Sequence, residues 1–405
     1  IVLENGLKVY LLSDPSFNVS AASVSVEVGS LDNPNERQGL AHFLEHMLFL
    51  GTEKYPDVDE YSSYLKTHGG YSNAYTASDH TNYQFQVLPD GFEGALDRFS
   101  QFFISPLFTE EYTSREVNAV NSEHQKNMLN DNWRQFRIAS LFAKKGHPER
   151  KFGTGNLETL GDITREELIQ FYKQHYSANR MGIALLSTHS IETMESWCRK
   201  YFSLVKNYNL DRNKYDPKYL EEKETFRLVQ IDPVKDVRNL NLLFALPGTR
   251  HLYKSKPGRQ FGFILGYEGK GSLLSYLKQK GWALSLSAGA GSETSDYGSA
   301  SVRIGLTEEG QKNYKKVIKS TMGYIALMKS EGQQKHVFDE LKSMSSLNEI
   351  YASKGEGMWR ATQLANEAMM YPLEDVGRIN YLYSDFSSSS YNSILDHIRP
   401  NNMLA

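Results

Sequence analysis

Cysteine is almost absent: Cys198 is the only one in 405 residues, which excludes an internal disulfide and says nothing firm about compartment. Beside Trp197 it reads as a small buried hydrophobe. Long apolar runs are missing too, and no stretch approaches the roughly 18 residues that a membrane-spanning helix needs. Charge of one sign is not in excess. The 45 basic and 48 acidic side chains leave a formal charge of -3, so the balance indicates neither a nucleic-acid nor a membrane partner. A leader is also not in evidence, because "IVLENGLKVYLL" reads at once as a strand, an Asn5-Gly6 turn and a second strand; any signal peptide is expected to have been removed or never present. What remains is an ordinary globular composition, 40% apolar and 12% aromatic, sufficient for two domains of roughly 200 residues each.

The sequence repeats itself. "SYLKTHG" at Ser63–Gly69 and "SYLKQKG" at Ser275–Gly281 each follow a helix-like stretch and lead into glycine-rich, alternating segments. Near the far ends of the copies, "SANRMGIALLS" from Ser177 answers "IRPNNMLA" from Ile398. One duplicated unit of about 215 residues accounts for both matches. In the first copy Met181–Leu186 reads as a buried strand after the helix "TREELIQFYKQHY", with Thr164 as its cap and Glu167 three residues on. The second copy stops within the equivalent strand, so the chain is expected to be a fragment of a longer polypeptide. The polar run "VKNYNLDRNKYDPKYLEEKETF" marks a boundary, giving domains 1–215 and 216–405. Each mixes period-two strands (Val24, Val26 and Val28; Tyr83, Phe85 and Val87) with helices, an α+β pattern in which each sheet carries its helices on one face.

Within "LAHFLEHMLFLG" the only polar residues are His42, Glu45 and His46. A helix from Gly39 to Leu50, stopped by Gly51, would bury two apolar stripes and gather those three side chains, spaced i, i+3, i+4, on the remaining face. An unpaired carboxylate there would cost several kcal/mol or more. A divalent cation compensates: imidazoles on adjacent turns bind zinc while the glutamate stays free to act on water. H-x-x-E-H is the inverse of the H-E-x-x-H zinc motif. Downstream, "TEEYTSREVNAVNSEHQKNML" reads as a helix with Glu116 and Glu123 on one face around Val120, and Glu123 is the candidate third ligand. By itself, that helix face also fits two solvated charges.

"HFLEHMLFLGTEKYP", "HGGYSNAYTASDHTNYQF", "REVNAVNSEHQKN", "HPERKFGTGNLETL" and "GYEGKGSLLSYLKQKGW" together resemble the inverted-zincin metallopeptidase family of insulysin and pitrilysin, over almost the whole chain and more closely on the insulysin side. The resemblance implies a zinc endopeptidase of four related α+β units in two halves that close like a clamshell around short to medium peptides, with this chain as the first half. It implies one Zn2+ per catalytic domain, held by His42, His46 and Glu123. It implies Glu45 as general base and Glu116 as the carboxylate behind the ligands. Asn73, Ala74 and Tyr75 match an edge strand to which substrate adds as a further strand. Leu286, Ser287, Ala288 and Gly289 match the strand that anchors the substrate's amino-terminal end; Tyr267 stands where insulysin has a histidine, and Ala288 where a glycine is expected.

The partners so implied are peptide substrates and the C-terminal half of the same polypeptide, with a homodimer open. Insulysin-like similarity suits the cytoplasm and pitrilysin-like similarity the periplasm. Two other readings stand beside the leading one: a subunit of a heterodimeric processing peptidase, and a non-catalytic scaffold or binding subunit of the same fold. His68, His80 and His124 read as loop, hydrogen-bonding or surface residues. "GKGS" at Gly269–Ser272 lacks the spacing of a phosphate loop.

Overall fold

A computed structural model describes residues 1–220, 227–352 and 355–405, so the last six residues of the expected linker lie outside the described residues. The first part of the chain runs β1 (Lys8–Ser13), β2 (Ser20–Val26), α1 (Leu40–Met47), α2 (Glu60–Thr67), β3 (Tyr71–Thr76), β4 (Thr81–Val87), α3 (Phe92–Ser100), α4 (Glu110–Asn127), α5 (Asp131–Leu141), α6 (Leu157–Leu160), α7 (Arg165–His175), β5 (Met181–Ser187) and α8 (Ile191–Phe202). The second runs β6 (Asn239–Pro247), α9 (Pro257–Leu265), α10 (Leu273–Gln279), β7 (Ala283–Ser292), β8 (Tyr297–Leu306), α11 (Glu308–Lys312), α12 (Tyr314–Glu331), α13 (Lys335–Tyr351), α14 (Gly357–Met370), α15 (Ser388–Leu395) and β9 (Met403–Leu404). No described helix is long and apolar enough to cross a membrane.

Two compact units form, divided between Asn213 and Lys214 but exchanging segments: the first gathers Ile1–Asn127, Lys151–Asn213 and Ser353–Gly377, the second Met128–Arg150, Lys214–Ala352 and Arg378–Ala405. In the first unit the strand order is β1-β5-β2-β4-β3. β1 runs parallel to β5, and the other pairs are antiparallel. The expected amino-terminal hairpin shrinks to a single bridge, Val2 to Lys8, because β1 pairs with β5 instead.

Period-two alternation sends Val24, Val26, Tyr83, Phe85 and Val87 into a core with Phe43, Leu44, Phe92, Phe99, Leu168 and Met194 from the helices of the same sequence half. The opposite face of this sheet is covered as well. Ala21, Ala184 and Leu186 meet Met358, Ala361, Leu364, Ala365 and Ala368 of α14, a helix from far down the chain. Covered on both sides, β2 and β5 have no exposed residue. The helix approaches so closely that a Cβ on Gly182 of β5 would sit 2.5 Å from the Met369 nitrogen.

The second unit has strand order β7-β8-β6-β9, which repeats β3-β4-β2-β5 of the first strand for strand. Leu242, Phe244, Val302 and Ile304 pack against Phe261, Leu274, Val317 and Ile394. In both units the SYLK helix, α2 or α10, leads through a positive-φ glycine, Gly69 or Gly281, into the edge strand. That shared helix–turn–strand geometry is what the sequence repeat encodes. The parallel bridge of Arg227 to Leu404 stands beside β9 as β1 stands beside β5. Ser272 of "GKGS" caps α10, its hydroxyl accepting from the Ser275 amide at 3.0 Å.

One acid in the second unit is out of its usual state. The Tyr297 hydroxyl donates to Glu149 Oε2 at 2.6 Å, and burial pushes the Glu149 carboxyl up to about 7 from 4.5. Because the folded pKa lies above the unfolded one, the fold holds a proton that the unfolded chain releases between those values, and stability falls as pH rises through that window. Glu149→Gln is therefore expected to stabilise the protein by about 2–3 kcal/mol at roughly pH 8 and hardly at all near pH 4.5. Urea unfolding at both pH values checks this; an equal gain at both contradicts it.

Candidate metal centre

The site is built where α1 meets α4. Gly39 enters α1 at φ 95, and a Cβ on it would lie 2.3 Å from the Cα of Gly155. Only glycine allows both, and the approach lays the Thr154 carbonyl against the first helical turn, where His42 Nδ1–H donates to it at 2.8 Å. The helix ends at Met47, before the expected Leu50. Phe49 and Leu50 donate instead to His46 and Met47, a tighter i to i+3 turn that carries the chain to Gly51. Six of the eight α1 residues are buried, Glu45 among them.

On α4, Val117 and Val120 enter the core of the first unit, which turns Glu116 and Glu123 toward α1. His46 Nδ1–H donates to Glu116 Oε2 at 3.3 Å, and Arg115 donates to Glu116 Oε1 at 3.1 Å. With each Nδ1 occupied as a donor, the neutral form of each histidine carries an unprotonated Nε2 that can bind a cation. Those nitrogens lie 3.6 Å (His42) and 3.9 Å (His46) from Glu123 Oε2. One ligand atom from each of the three residues falls within 4.8 Å of the others. Two imidazoles and a carboxylate at this spacing suit zinc and leave a position open.

The electrostatics follow from crowding three carboxylates around two imidazoles. Burial pushes the Glu45 carboxyl up, against the pull of His42, the Thr76 hydroxyl and His46. Burial also opposes charge on His46, but Glu116, Glu45 and Glu123 outweigh it and its pKa is raised. The hydrogen bond from His46 holds the Glu116 carboxyl below its ordinary value. A divalent cation answers all three carboxylates at once.

Two partners of this site were not readable from the motif. Thr76, at the end of β3, donates from Oγ1 to Glu45 Oε2 at 2.5 Å, and the Thr154 carbonyl fixes the tautomer of His42. Asn73, Ala74 and Tyr75 lie on β3, which pairs with β4 on one side and stands at the edge of its sheet. Leu286, Ser287, Ala288 and Gly289 lie on β7, the edge strand of the second unit's sheet. Tyr267 is exposed in the turn after α9. His68 donates from Nδ1 to the Tyr64 carbonyl at 2.9 Å and lies outside the His42, His46 and Glu123 group, and the His124 ring packs on Phe152.

The family model described as Insulinase (Peptidase family M16) matches residues 8–144, and that described as Peptidase M16 inactive domain matches residues 162–345. The chain is 41% identical over 408 residues to human insulin-degrading enzyme, covering 99% of this chain and 40% of that protein. It is 41% identical over 372 residues to the A-factor-processing enzyme of Saccharomyces cerevisiae, covering 90% of this chain and 36% of that one. It thus spans about two-fifths of the length of the curated relatives it matches. The crystal structure of pitrilysin superposes with a TM-score of 0.95 at 29% identity, over 99% of this chain and 43% of that one. A protease from Helicobacter pylori shares the fold, with a TM-score of 0.77 at 19% identity, over 100% of this chain and 97% of that one.

Proposed function

Because the chain belongs to peptidase family M16, we propose that it carries the zinc site and a peptide-binding edge of a zinc-dependent endopeptidase acting on short to medium peptides. The convergence of His42 Nε2, His46 Nε2 and Glu123 around one point, with the buried Glu45 beside them, carries the reading. Zinc, when bound, supplies a Lewis acid that polarises the scissile carbonyl and acidifies water. His42, His46 and Glu123 hold it, and Glu116 orients His46 through the ring nitrogen that faces away from it. Glu45 takes the proton of the attacking water and returns it to the leaving amide nitrogen. Thr76 keeps the Glu45 carboxylate turned toward that water.

A substrate backbone adds along the open edge of β3, so recognition reads extended shape more than side-chain identity. The first unit is the catalytic one and the second its non-catalytic homologue, whose β7 edge anchors the substrate's amino-terminal end. The remaining wall of the reaction chamber comes from a second half of a longer polypeptide.

Hydrolysis of an internally quenched peptide by this chain, alone and joined to the second half of a relative, tests the reading. Turnover is expected to be low alone, to rise by orders of magnitude with the second half, and to vanish on chelation until zinc is returned. Equal turnover with and without the second half contradicts the chamber, and turnover indifferent to chelation contradicts the metal.

A further inference from the structure

The face of the first sheet turned away from α1 holds a polar chain that the metal site does not use. Ser23 Oγ donates to Asn82 Oδ1 at 3.0 Å, and Asn82 Nδ2 to Ser25 Oγ at 2.6 Å. Ser25 Oγ donates to Asn366 Oδ1 at 2.5 Å, and Asn366 Nδ2 to Tyr75 Oη at 2.7 Å. Tyr75 Oη lies 3.1 Å from His80 Nε2, and His80 Nδ1 lies 2.9 Å from Asp79 Oδ1. A carboxylate accepts only, so His80 Nδ1–H donates to Asp79, and in the neutral imidazole Nε2 accepts the one proton of the Tyr75 hydroxyl. Every donor from Ser23 to His80 then points the same way, and each bond polarises the next.

The chain joins β2, β4, α14 and the β3–β4 turn, and only Tyr75 connects it to β3. Tyr75 and Thr76 are adjacent and project from opposite faces of the strand: Tyr75 is held by Asn366 and His80, and Thr76 holds Glu45. We propose that Tyr75, His80 and Asn366 are positioning residues, a clamp on the turn end of β3 that keeps the Thr76 hydroxyl on Glu45 and keeps the open strand edge in register for an incoming peptide strand. The proposal rests on the reading of β3 as the peptide-binding edge and of Glu45 as the base, and adds what fixes them. It also gives α14, from the far end of the chain, a part in the first unit's site beyond covering apolar surface.

Amide hydrogen exchange on the full chain tests it, read at those amides of Tyr71–Thr76 that pair with β4 and at the Ala77 amide, which donates to the His80 carbonyl. Tyr75→Phe removes one hydroxyl and keeps the ring, so folding is not at stake. It is expected to quicken exchange at these amides roughly fivefold or more, as loss of a net hydrogen bond implies, with β1 and β5 unchanged and zinc stoichiometry retained. His80→Ala should match it, whereas His80→Gln, which restores an acceptor, should return exchange toward the parent rate. A merely structural role would show no such rescue. Affinity for a hydrolysis-resistant peptide of about a dozen residues should fall in step. Parent-like exchange in Tyr75→Phe overturns the clamp. Faster exchange with unchanged peptide affinity counts against β3 as the peptide-binding edge, and absent zinc binding in the parent chain counts against the metal reading alone.

Discussion

His46→Ala is expected to abolish stoichiometric zinc binding, where the parent chain takes up one equivalent. The variant keeps His42 and Glu123, whose facing atoms stand 3.6 Å apart, but two protein ligands do not hold zinc in a site that otherwise uses three. The loss should exceed the roughly 10–100-fold cost of removing a partner one step further out, such as Glu116. The fold should survive. The His46 side chain is 26% exposed, so alanine opens the site to water instead of leaving a sealed cavity, and Arg115 still reaches the Glu116 carboxylate. Equilibrium dialysis of zinc, paired with a thermal melt of both proteins, separates loss of a ligand from loss of the fold. Zinc at full occupancy in a folded variant would remove His46 from the ligand set.

Glu45→Gln should do the reverse, retaining zinc and losing hydrolysis. Glu45 is 6% exposed and lies beside both histidines in sequence and space without joining the ligand trio. Glutamine matches it in shape and can still accept from Thr76, so the metal site should be undisturbed. It cannot take a proton from water. General acid–base catalysis is worth about 10²–10⁴ in rate, and turnover of the variant, in the chain joined to its second half, is expected to fall by at least that range. Peptide affinity should change little. Retained turnover would show that some other group takes the proton.

Much of the site was legible because helical periodicity is local. His42, Glu45 and His46 share a face whatever surrounds them, and Glu116, Val120 and Glu123 do so on a second helix. The repeat was legible for a related reason: SYLK followed by a positive-φ glycine specifies a helix, a turn and an edge strand in both units. What escaped the sequence depends on long-range placement. The Thr154 carbonyl belongs to backbone, and its approach to His42 requires two glycines to meet, Gly39 and Gly155. Thr76 reaches Glu45 only once β3 is docked on α1. The pattern of α14 shows that the helix buries a face, but not that this face meets the first sheet, to which it adds Asn366 as well as apolar cover.

One zinc ion is expected among His42, His46 and Glu123. Anomalous diffraction from zinc-loaded crystals, recorded on either side of the zinc edge, tests it most directly. The expected result is a single peak within about 2.0–2.2 Å of His42 Nε2, His46 Nε2 and a Glu123 carboxylate oxygen, with Glu45 outside bonding distance. A peak elsewhere on the chain, or one bonded to Glu45 in place of Glu123, would contradict it.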